Sequence, residues 1–373
     1  MSNLNLNRTG RVGLGFGLAL VLVLTGCTGD GGTEDETAPT PTASSPDDPE
    51  TDEPAEAEEP AEPEDPQTLE PEPARAISVL GLAEQRHRGD QLRLGAVREQ
   101  TDAYTSYDVT YRSRSTTGPD QQGEESYTIS GVLNVPTGRG PFPAVVLAHG
   151  YIDPAVYVRG QGMTRERGYL ASRGYVALHV DYRNHAESDD DPDYLTRMRL
   201  GYTADVINAV KALRASGDVP LDDDRMAMFG RSMGGGVILK ALIAEPGLVQ
   251  AAAPWASVSS LEADNFRQFM SEPGDSRAQE VLAAHGAPAE SPAFWRDNSS
   301  RTSFDRITEP VLMAHGRFDD TCPPPWATAT QRALVASGVD SQLEWYDDGH
   351  AFGPSFNAAM DRTIGFFDTQ LGR

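Results

Sequence analysis

The segment that most constrains this chain is Gly230-Arg231-Ser232-Met233-Gly234, because it joins a predicted strand to a predicted helix through a turn centred on a serine. Glycines two positions on either side of the serine permit such a sharp turn, since a Cβ there would collide with neighbouring backbone. The turn also exposes the serine at a helix N-terminus, where the helix dipole favours negative charge. The segment therefore predicts Ser232 as a nucleophile, with Gly230 and Gly234 as the glycines of its elbow.

A nucleophilic serine needs a general base, and the base needs a carboxylate that orients it. Where the serine lies in a strand–turn–helix elbow, the carboxylate and then the histidine follow it along the chain. After Ser232 the sequence offers His285, His315 and His350. Only His350 follows the last predicted strand in a loop flanked by glycines, from which an imidazole can reach the serine. We therefore predict His350 as the base.

The carboxylate and the oxyanion hole follow from the same strand ends. The loop after residues 310–314 contains Asp319 and Asp320, and either would serve on chemical grounds. The oxyanion of an acyl-transfer reaction requires two backbone N–H donors. We predict that they belong to Met233, directly after the nucleophile, and to Tyr151, in the loop after residues 143–149.

Apolar runs alternate with helical periodicity over most of the chain, which predicts an α/β fold with helices on both faces of a sheet. We expect a mostly parallel, doubly wound sheet of about eight strands with a small helical cap insertion at residues 255–306. The aromatic residues and the methionine of the cap could line the acyl pocket or form the cap's own core; they are Phe266, Phe269, Met270, Phe294 and Trp295. The predicted strands are residues 104–112, 126–135, 143–149, 175–180, 225–229, 250–254, 310–314 and 341–346, and the predicted helices are 165–173, 193–216, 234–243, 329–337 and 355–371.

The first 74 residues differ in composition from the rest. Residues 1–27 combine two arginines with an apolar stretch that is too short to span a bilayer, as in a signal peptide. They end in Leu24-Thr25-Gly26-Cys27, which resembles a bacterial lipobox and predicts lipidation of Cys27; a plain signal peptide with an incidental cysteine is the alternative. Residues 28–74 hold 17 acidic residues and no lysine or arginine, which predicts a disordered tether. The hydrolase domain is then residues 75–373, on an exported bacterial lipoprotein anchored to the outer face of the cell membrane.

Composition and spacing argue against several other functions. Residues 75–373 carry 39 acidic and 29 basic residues without a basic stripe, so we expect no nucleic-acid partner. The chain has two cysteines, Cys27 and Cys322, and no His/Cys cluster with zinc spacing or Gly-rich phosphate loop. The acidic run at residues 189–193 lacks the glycine and glutamate of a calcium loop. We therefore expect no metal and no cofactor.

Residues 143–373 resemble the catalytic domain of the prolyl oligopeptidase (S9) family, within the α/β-hydrolase superfamily. The resemblance rests on segments that occur in the family's order: 147–150, 169–175 running on to Asp181-Tyr182-Arg183, the Ser232 elbow, Ser291-Pro292, and 310–312 leading to the aspartate loop. It implies a triad of Ser232, Asp319 and His350. The family takes its acid from the first aspartate of this loop, which favours Asp319 over Asp320.

The chain departs from the family in two places. Asn184, His185 and Ala186 stand where glycines are often found, and residues 75–140 are too few for the β-propeller of the larger oligopeptidases. Our first hypothesis is therefore a carboxylic-ester hydrolase that acts on small or medium acyl substrates through an acyl-enzyme. The alternative is an S9-type aminopeptidase or oligopeptidase that cleaves short peptides, and a remote third hypothesis is a non-catalytic binding lipoprotein. The expected partners are a small ester or short peptide, and the membrane through the lipid anchor only.

Overall fold

A computed structural model describes residues 76–117 and 123–373. The predicted signal segment, Cys27 and the tether at 28–74 lie outside the described residues. Within them, helices and strands alternate along most of the chain. No helix of these residues is both long and apolar enough to cross a membrane.

The strands and helices of the described residues are numbered here in chain order. The strands are β1 (His87–Gln100), β2 (Tyr104–Thr117), β3 (Gly123–Pro136), β4 (Phe142–Ala148), β5 (Val176–Val180), β6 (Leu221–Arg231), β7 (Ala251–Trp255), β8 (Val311–Gly316) and β9 (Ser341–Tyr346). The helices are α1 (Val79–Ala83), α2 (Thr164–Ser172), α3 (Leu200–Arg214), α4 (Met233–Ala244), α5 (Glu262–Phe269), α6 (Ser276–His285), α7 (Pro292–Asp297), α8 (Pro324–Ala336) and α9 (Phe356–Gln370).

The nine strands of the described residues form one sheet in the order β1-β2-β3-β5-β4-β6-β7-β8-β9. The strands from β4 to β9 pair in parallel, whereas β1, β2 and β3 form antiparallel pairs that end against β5. Because parallel strands end at the same edge, the loops after β4, β6, β8 and β9 meet there, and this is where open α/β sheets bind ligands.

The continuous apolar runs form strands because both faces of the sheet are covered. In β4, Val146 packs in the cluster that includes α3 and α4, while Val145 and Leu147 pack in the cluster that includes α9. All three side chains are fully buried. The predicted α/β class with helices on both faces is confirmed.

The structure differs from the prediction in one added strand and in several element boundaries, of which two matter most here. The sheet has a ninth strand, β1, which was not predicted and which pairs with β2 alone at the edge. Helix α3 begins at Leu200 rather than at residue 193, because Met198 and Arg199 adopt left-handed backbone angles with φ of 52° and 53°. Helix α8 begins at Pro324 rather than at residue 329, since proline is well suited to the first turn of a helix.

The region predicted as a cap, residues 255–306, contains the three short helices α5, α6 and α7. Some of its apolar side chains form a core within this region, and others line the cavity in front of Ser232. Phe294 and Trp295 are buried in a cluster of their own with Phe266 packed against it. Phe269 and Met270 line the cavity that contains Ser232, and Met270 also belongs to the cluster.

Candidate active site

Ser232 lies between the last residue of β6 and the first residue of α4, with φ of 57° and ψ of −122°. A non-glycine residue in this conformation is strained and persists only when its surroundings hold it. Here the Ser232 amide donates to the Trp255 carbonyl at 3.0 Å, and the Ser232 carbonyl accepts from the amides of Gly235 and Val258 at 3.0 and 3.2 Å. The strand–helix junction thus forces the serine outward at the sheet edge.

The two predicted elbow glycines occupy places where no side chain fits. A Cβ on Gly230 would lie 2.2 Å from the Gly234 carbonyl oxygen, and a Cβ on Gly234 would lie 1.9 Å from the Ala148 carbonyl oxygen. Both contacts involve backbone, which cannot move aside cheaply. The glycines therefore allow α4 to approach the end of β4, where the predicted oxyanion loop begins.

The predicted base and acid are in direct contact. His350 Nδ1 lies 2.9 Å and 3.1 Å from the two carboxylate oxygens of Asp319. An ionised carboxylate only accepts hydrogen bonds, so Nδ1 carries the proton and Nε2 is left unprotonated in the neutral ring. The structure therefore places His350 in the tautomer that a general base requires.

Asp319 is held by the loop that follows β8. Its Oδ1 accepts from the amides of Thr321 and Cys322 at 3.0 and 2.8 Å, and its side chain is fully buried. Burial alone would raise the pKa of Asp319, but the hydrogen bond from His350 and that from the Cys322 amide outweigh it, and the pKa is lowered. Asp320 is exposed, and among the described residues its side chain accepts from the Thr321 hydroxyl alone, at 3.3 Å. The contact with His350 thus involves Asp319 and not Asp320.

The loop that carries His350 is held by Asp348. Its carboxylate accepts from the amides of Gly349, Gly353 and Ser355 at 2.8, 3.2 and 2.8 Å. Burial opposes ionisation, but these hydrogen bonds lower the pKa of Asp348. The sequence analysis did not single out this residue, although an acidic residue before a Gly-His pair is a signal for a loop that closes on its own amides.

The predicted oxyanion amides adjoin the serine. Gly150 lies so close to Ser232 that an added Cβ would be 3.1 Å from the serine Cβ, and Tyr151 follows Gly150 in the chain. No turn, loop or cap hydrogen bond among the described residues uses the amide of Tyr151 or of Met233. Both donors are therefore available to a substrate.

His149 orients the peptide that carries the Tyr151 amide. Its Nδ1 lies 2.6 Å from the Gly150 carbonyl oxygen and its Nε2 lies 3.2 Å from the Asp181 carbonyl oxygen. Burial lowers the pKa of His149 to about 3, so the neutral ring has one N–H to donate, and the shorter distance assigns it to Nδ1. The carbonyl of Gly150 and the N–H of Tyr151 belong to one trans peptide and point in opposite directions. Fixing the carbonyl against His149 therefore fixes the direction of the N–H.

A buried network supports His149 from below. The His149 ring stacks on Tyr157 at 4.8 Å, and the Tyr157 hydroxyl donates to Asp181 at 2.7 Å. Asp181 also accepts from the Ser130 hydroxyl at 2.6 Å and from the Gly160 amide at 2.8 Å. These bonds connect the oxyanion loop to β3 and to the end of β5.

The Ser232 side chain also contacts Cys322, which sequence analysis did not connect with the site. Burial raises the pKa of the Cys322 thiol to about 12, and a hydrogen bond with the Ser232 side chain lowers it in part. Among the described residues no hydrogen bond joins Ser232 Oγ to His350. Nucleophile–base hydrogen bonds in unliganded enzymes are often long and tighten when substrate binds.

A cavity of about 410 Å³ opens in front of Ser232 and His350. Its walls come from the oxyanion loop, the start of α3, the first turns of α4, and α5. The lining residues are Tyr151, Met198, Arg199, Thr203, Ser232, Met233, Gly236, Val237, Lys240, Val258, Glu262, Asn265, Phe269, Met270, Arg277, Thr321 and His350. The volume suits a small molecule.

The departure from the family at residues 184–186 has a visible consequence. Asn184 and Ala186 adopt left-handed angles with φ of 67° and 50°, as does Tyr182 with φ of 65°. Glycine takes this conformation without strain, which explains the glycines often found here. Arg183 anchors the strained segment through buried ion pairs with Asp191 at 3.1 Å and Asp205 at 2.9 Å.

No group of three or more His, Cys, Asp or Glu residues within 76–117 and 123–373 could hold a metal ion. Asp189 and Asp191, from the acidic run considered as a calcium loop, serve instead as acceptors for the Thr128 amide and for Arg183.

Comparisons with known proteins agree with this geometry. The sequence profile described as the prolyl oligopeptidase family matches residues 161–373. The chain is 28% identical over 226 residues to esterase EstD of Thermotoga maritima, covering 54% of this chain and 53% of EstD. It is 31% identical over 186 residues to human prolyl endopeptidase FAP, covering 48% of this chain and 23% of that protein. The chain thus spans about half or less of the length of these relatives.

Solved structures share the fold. The acetyl xylan esterase of Paenibacillus sp. R4 superposes with a TM-score of 0.56 at 22% identity, covering 79% of this chain and 92% of that one. The esterase LipA of Xanthomonas oryzae superposes with a TM-score of 0.52 at 18% identity, covering 76% of this chain and 99% of LipA. The predicted α/β-hydrolase fold and the predicted resemblance to the family are confirmed.

Proposed function

The chain belongs to the prolyl oligopeptidase family of serine hydrolases, and we propose that it hydrolyses carboxylic esters with small or medium acyl groups. The observation that carries this proposal is the cavity of about 410 Å³ that contains Ser232 and His350 and is walled in part by the short helix α5. An enclosure of this size accepts a small ester whole. The similarity to esterase EstD supports the same reaction.

The geometry supports catalysis through an acyl-enzyme. Ser232 Oγ attacks the ester carbonyl carbon while His350 Nε2 takes the hydroxyl proton, and Asp319 stabilises the imidazolium that forms. The amides of Met233 and Tyr151 donate to the oxyanion. His350 then returns the proton to the departing alcohol, and water repeats the sequence to release the acid and restore Ser232.

A peptidase is the second candidate, because the family and the relative FAP include that activity by name. An aminopeptidase must bind the positive N-terminus of its substrate, for which a carboxylate is the natural partner. The one carboxylate lining the described cavity is Glu262, and it is paired with Lys240 at 2.7 Å. The charges of the cavity therefore favour the ester hydrolase over an aminopeptidase.

Turnover of 4-nitrophenyl acyl esters and of aminoacyl 4-nitroanilides by the full chain tests the proposal. We expect ester turnover to exceed amide turnover by far more than tenfold, and Ser232→Ala to reduce it by a factor on the order of 10⁶. Amide rates within about tenfold of ester rates would refute the ester assignment. Failure of a fluorophosphonate probe to label the wild type at Ser232 would favour the non-catalytic lipoprotein.

We also propose that the protein is exported and anchored to the outer face of the cell membrane through a lipidated Cys27, with residues 28–74 as a tether. The support is the lipobox-like segment that ends at Cys27 and the acidic, Pro-rich composition that follows it. The variant Cys27→Ser should move the protein from the detergent phase to the aqueous phase on Triton X-114 partition. Equal partition of both proteins would refute the anchor.

A further inference from the structure

The cavity in front of Ser232 contains one cation that has no carboxylate partner. Arg199 lines the cavity and forms no ion pair with any described residue, and its Nε is buried without a hydrogen-bond acceptor. The other charged lining residues are neutralised locally, Lys240 by Glu262 at 2.7 Å and Arg277 by Asp275 at 2.6 Å. The cavity therefore carries one uncompensated positive charge.

The contact between Arg199 and Tyr151 does not satisfy this charge. The guanidinium carbon of Arg199 lies 5.6 Å from the centre of the Tyr151 ring, and that of Arg277 lies at the same distance. A ring face attracts the cation but accepts no hydrogen bond of normal strength from its N–H groups. The Tyr151 hydroxyl already accepts from Arg277 at 3.0 Å.

Two neutral polar residues of the same cavity each have a side-chain oxygen without a hydrogen-bond partner. Thr203 is 1% exposed, and its Oγ1 has no hydrogen-bond partner. Asn265 donates through Nδ2 to the Ser259 carbonyl at 2.9 Å, which leaves its buried Oδ1 free to accept. Buried polar atoms in folded proteins are nearly always paired, so unpaired ones in a binding cavity indicate groups that a ligand completes.

A strained backbone turn places Arg199 at the cavity. Met198 and Arg199 are consecutive non-glycine residues with φ of 52° and 53°, directly before α3. Hydrogen bonds from the Arg199 amide to Tyr194 at 2.8 Å and from the Tyr202 amide to Arg199 at 3.0 Å hold the strained turn. The turn delays the start of α3 to Leu200 and leaves the arginine at the wall of the cavity.

We infer that the natural substrate is an ester that carries a free carboxylate in its acyl or alcohol part, and that Arg199 binds this carboxylate. The Thr203 hydroxyl can donate to the same anion, and Asn265 Oδ1 accepts from a hydroxyl or amide N–H elsewhere on the substrate. This inference rests on the proposed ester hydrolysis. It makes Arg199 the residue that determines specificity for anionic esters.

The test compares three esters with the wild type and two variants of the full chain. 4-Nitrophenyl butyrate is neutral, 4-nitrophenyl hemiglutarate carries its carboxylate on the acyl side, and 4-carboxyphenyl butyrate carries it on the alcohol side. Arg199→Gln removes the proposed partner. Arg267→Gln is the matched control, because Arg267 lies on α5 with a side chain 65% exposed and loses the same charge outside the cavity.

We expect the wild type to prefer at least one anionic ester, and Arg199→Gln to lower kcat/KM for that ester by about 10- to 100-fold, mainly through KM. The neutral ester should change by less than about threefold in either variant, and Arg199→Lys should recover part of the loss. The proposal is overturned if the wild type shows no preference for either anionic ester, or if Arg199→Gln slows neutral and anionic esters equally.

A binding measurement separates this inference from the ester assignment. Free glutarate should raise the Tm of the wild type and of Arg267→Gln but not that of Arg199→Gln, with butyramide as the neutral comparison. If neutral esters are cleaved without a carboxylate preference and glutarate does not bind, only the inference fails. If nitroanilides are cleaved and esters are not, the ester assignment fails, and the glutarate result alone decides whether Arg199 binds an anion.

Discussion

Replacing Asp348 with asparagine tests whether one carboxylate holds the loop of the base. The asparagine keeps an oxygen for two of the three amides that Asp348 binds, but it places an NH₂ group against the third donor. The bonds to Gly349 and Gly353 share Oδ1, whereas Ser355 donates to Oδ2 at 2.8 Å. Losing one charge-assisted hydrogen bond in a buried site costs about 1.5–3 kcal/mol of unfolding free energy.

Asp347 provides a matched control one position earlier. Its side chain is 80% exposed and pairs with Arg317 at 3.1 Å, so Asp347→Asn should change the unfolding free energy by less than about 0.5 kcal/mol. Urea unfolding of both variants and the wild type measures the difference. Ester turnover should fall about 10- to 100-fold in Asp348→Asn, because a catalytic group displaced by about 1 Å loses activity on that scale.

The pH dependence gives the prediction a sign. The folded pKa of Asp348 lies below its unfolded value of about 3.9, so the ionised carboxylate stabilises the protein above that value. The stabilisation is lost as the pH falls through the folded pKa. The difference in unfolding free energy between wild type and Asp348→Asn should therefore be constant near pH 7 and shrink below about pH 4. If Asp348→Asn has the same unfolding free energy and the same ester turnover as Asp347→Asn, the proposed role of Asp348 is refuted.

Three further predictions concern the elbow, the acid and the thiol. Asp319→Asn should lower kcat by a factor on the order of 10³–10⁴, while Asp320→Asn should stay within about twofold of wild type in the same ester assay; the reverse order would move the acid to the second aspartate. Gly234→Ala should abolish ester turnover or folding, because the added Cβ would lie 1.9 Å from a backbone oxygen of β4. As the control, Gly365→Ala on α9 meets no atom within 4 Å and should add about 0.5–1 kcal/mol to the unfolding free energy measured in urea. Cys322, buried and with a pKa near 12, should resist iodoacetamide in the native protein at pH 8 and react after unfolding, as mass spectrometry would show.

The elements of the fold that could be predicted are those whose buried residues form continuous apolar runs in the sequence. The strands β4 and β6 are apolar runs because both faces of the sheet are covered. Strand β1 is different, since it is rich in charged and polar residues and its last six positions are mostly exposed. It pairs with β2 alone, with register shifts that begin where Gln91 takes φ of 54°. An edge strand of this kind has no apolar alternation to reveal it.

The predictable part of the site consists of residues at the ends of strands. Ser232, Asp319 and His350 each follow a predicted strand, and parallel strand order brings those ends together. The supporting contacts depend on which loops meet, and so they could not be predicted. The thiol of Cys322 lies against Ser232, and the imidazole of His149 fixes the carbonyl of Gly150, because the folded chain packs the acid loop and the oxyanion loop on either side of the elbow.

The unpredicted start of α3 shows why specificity is harder to predict than mechanism. Residues 193–199 have helical spacing and no glycine, so nothing in them signals that Met198 and Arg199 leave the helical conformation. Ser232 also has a positive φ, and all three residues line one cavity. Backbone hydrogen bonds hold both Ser232 and Arg199 on either side, so the backbone that carries the nucleophile and the cation is fixed before any ligand arrives. A cavity wall with a fixed backbone selects substrates by its charge and does not adapt its shape to them. Neutralising Arg199 should therefore change the preference between anionic and neutral esters and leave the chemistry at Ser232 intact.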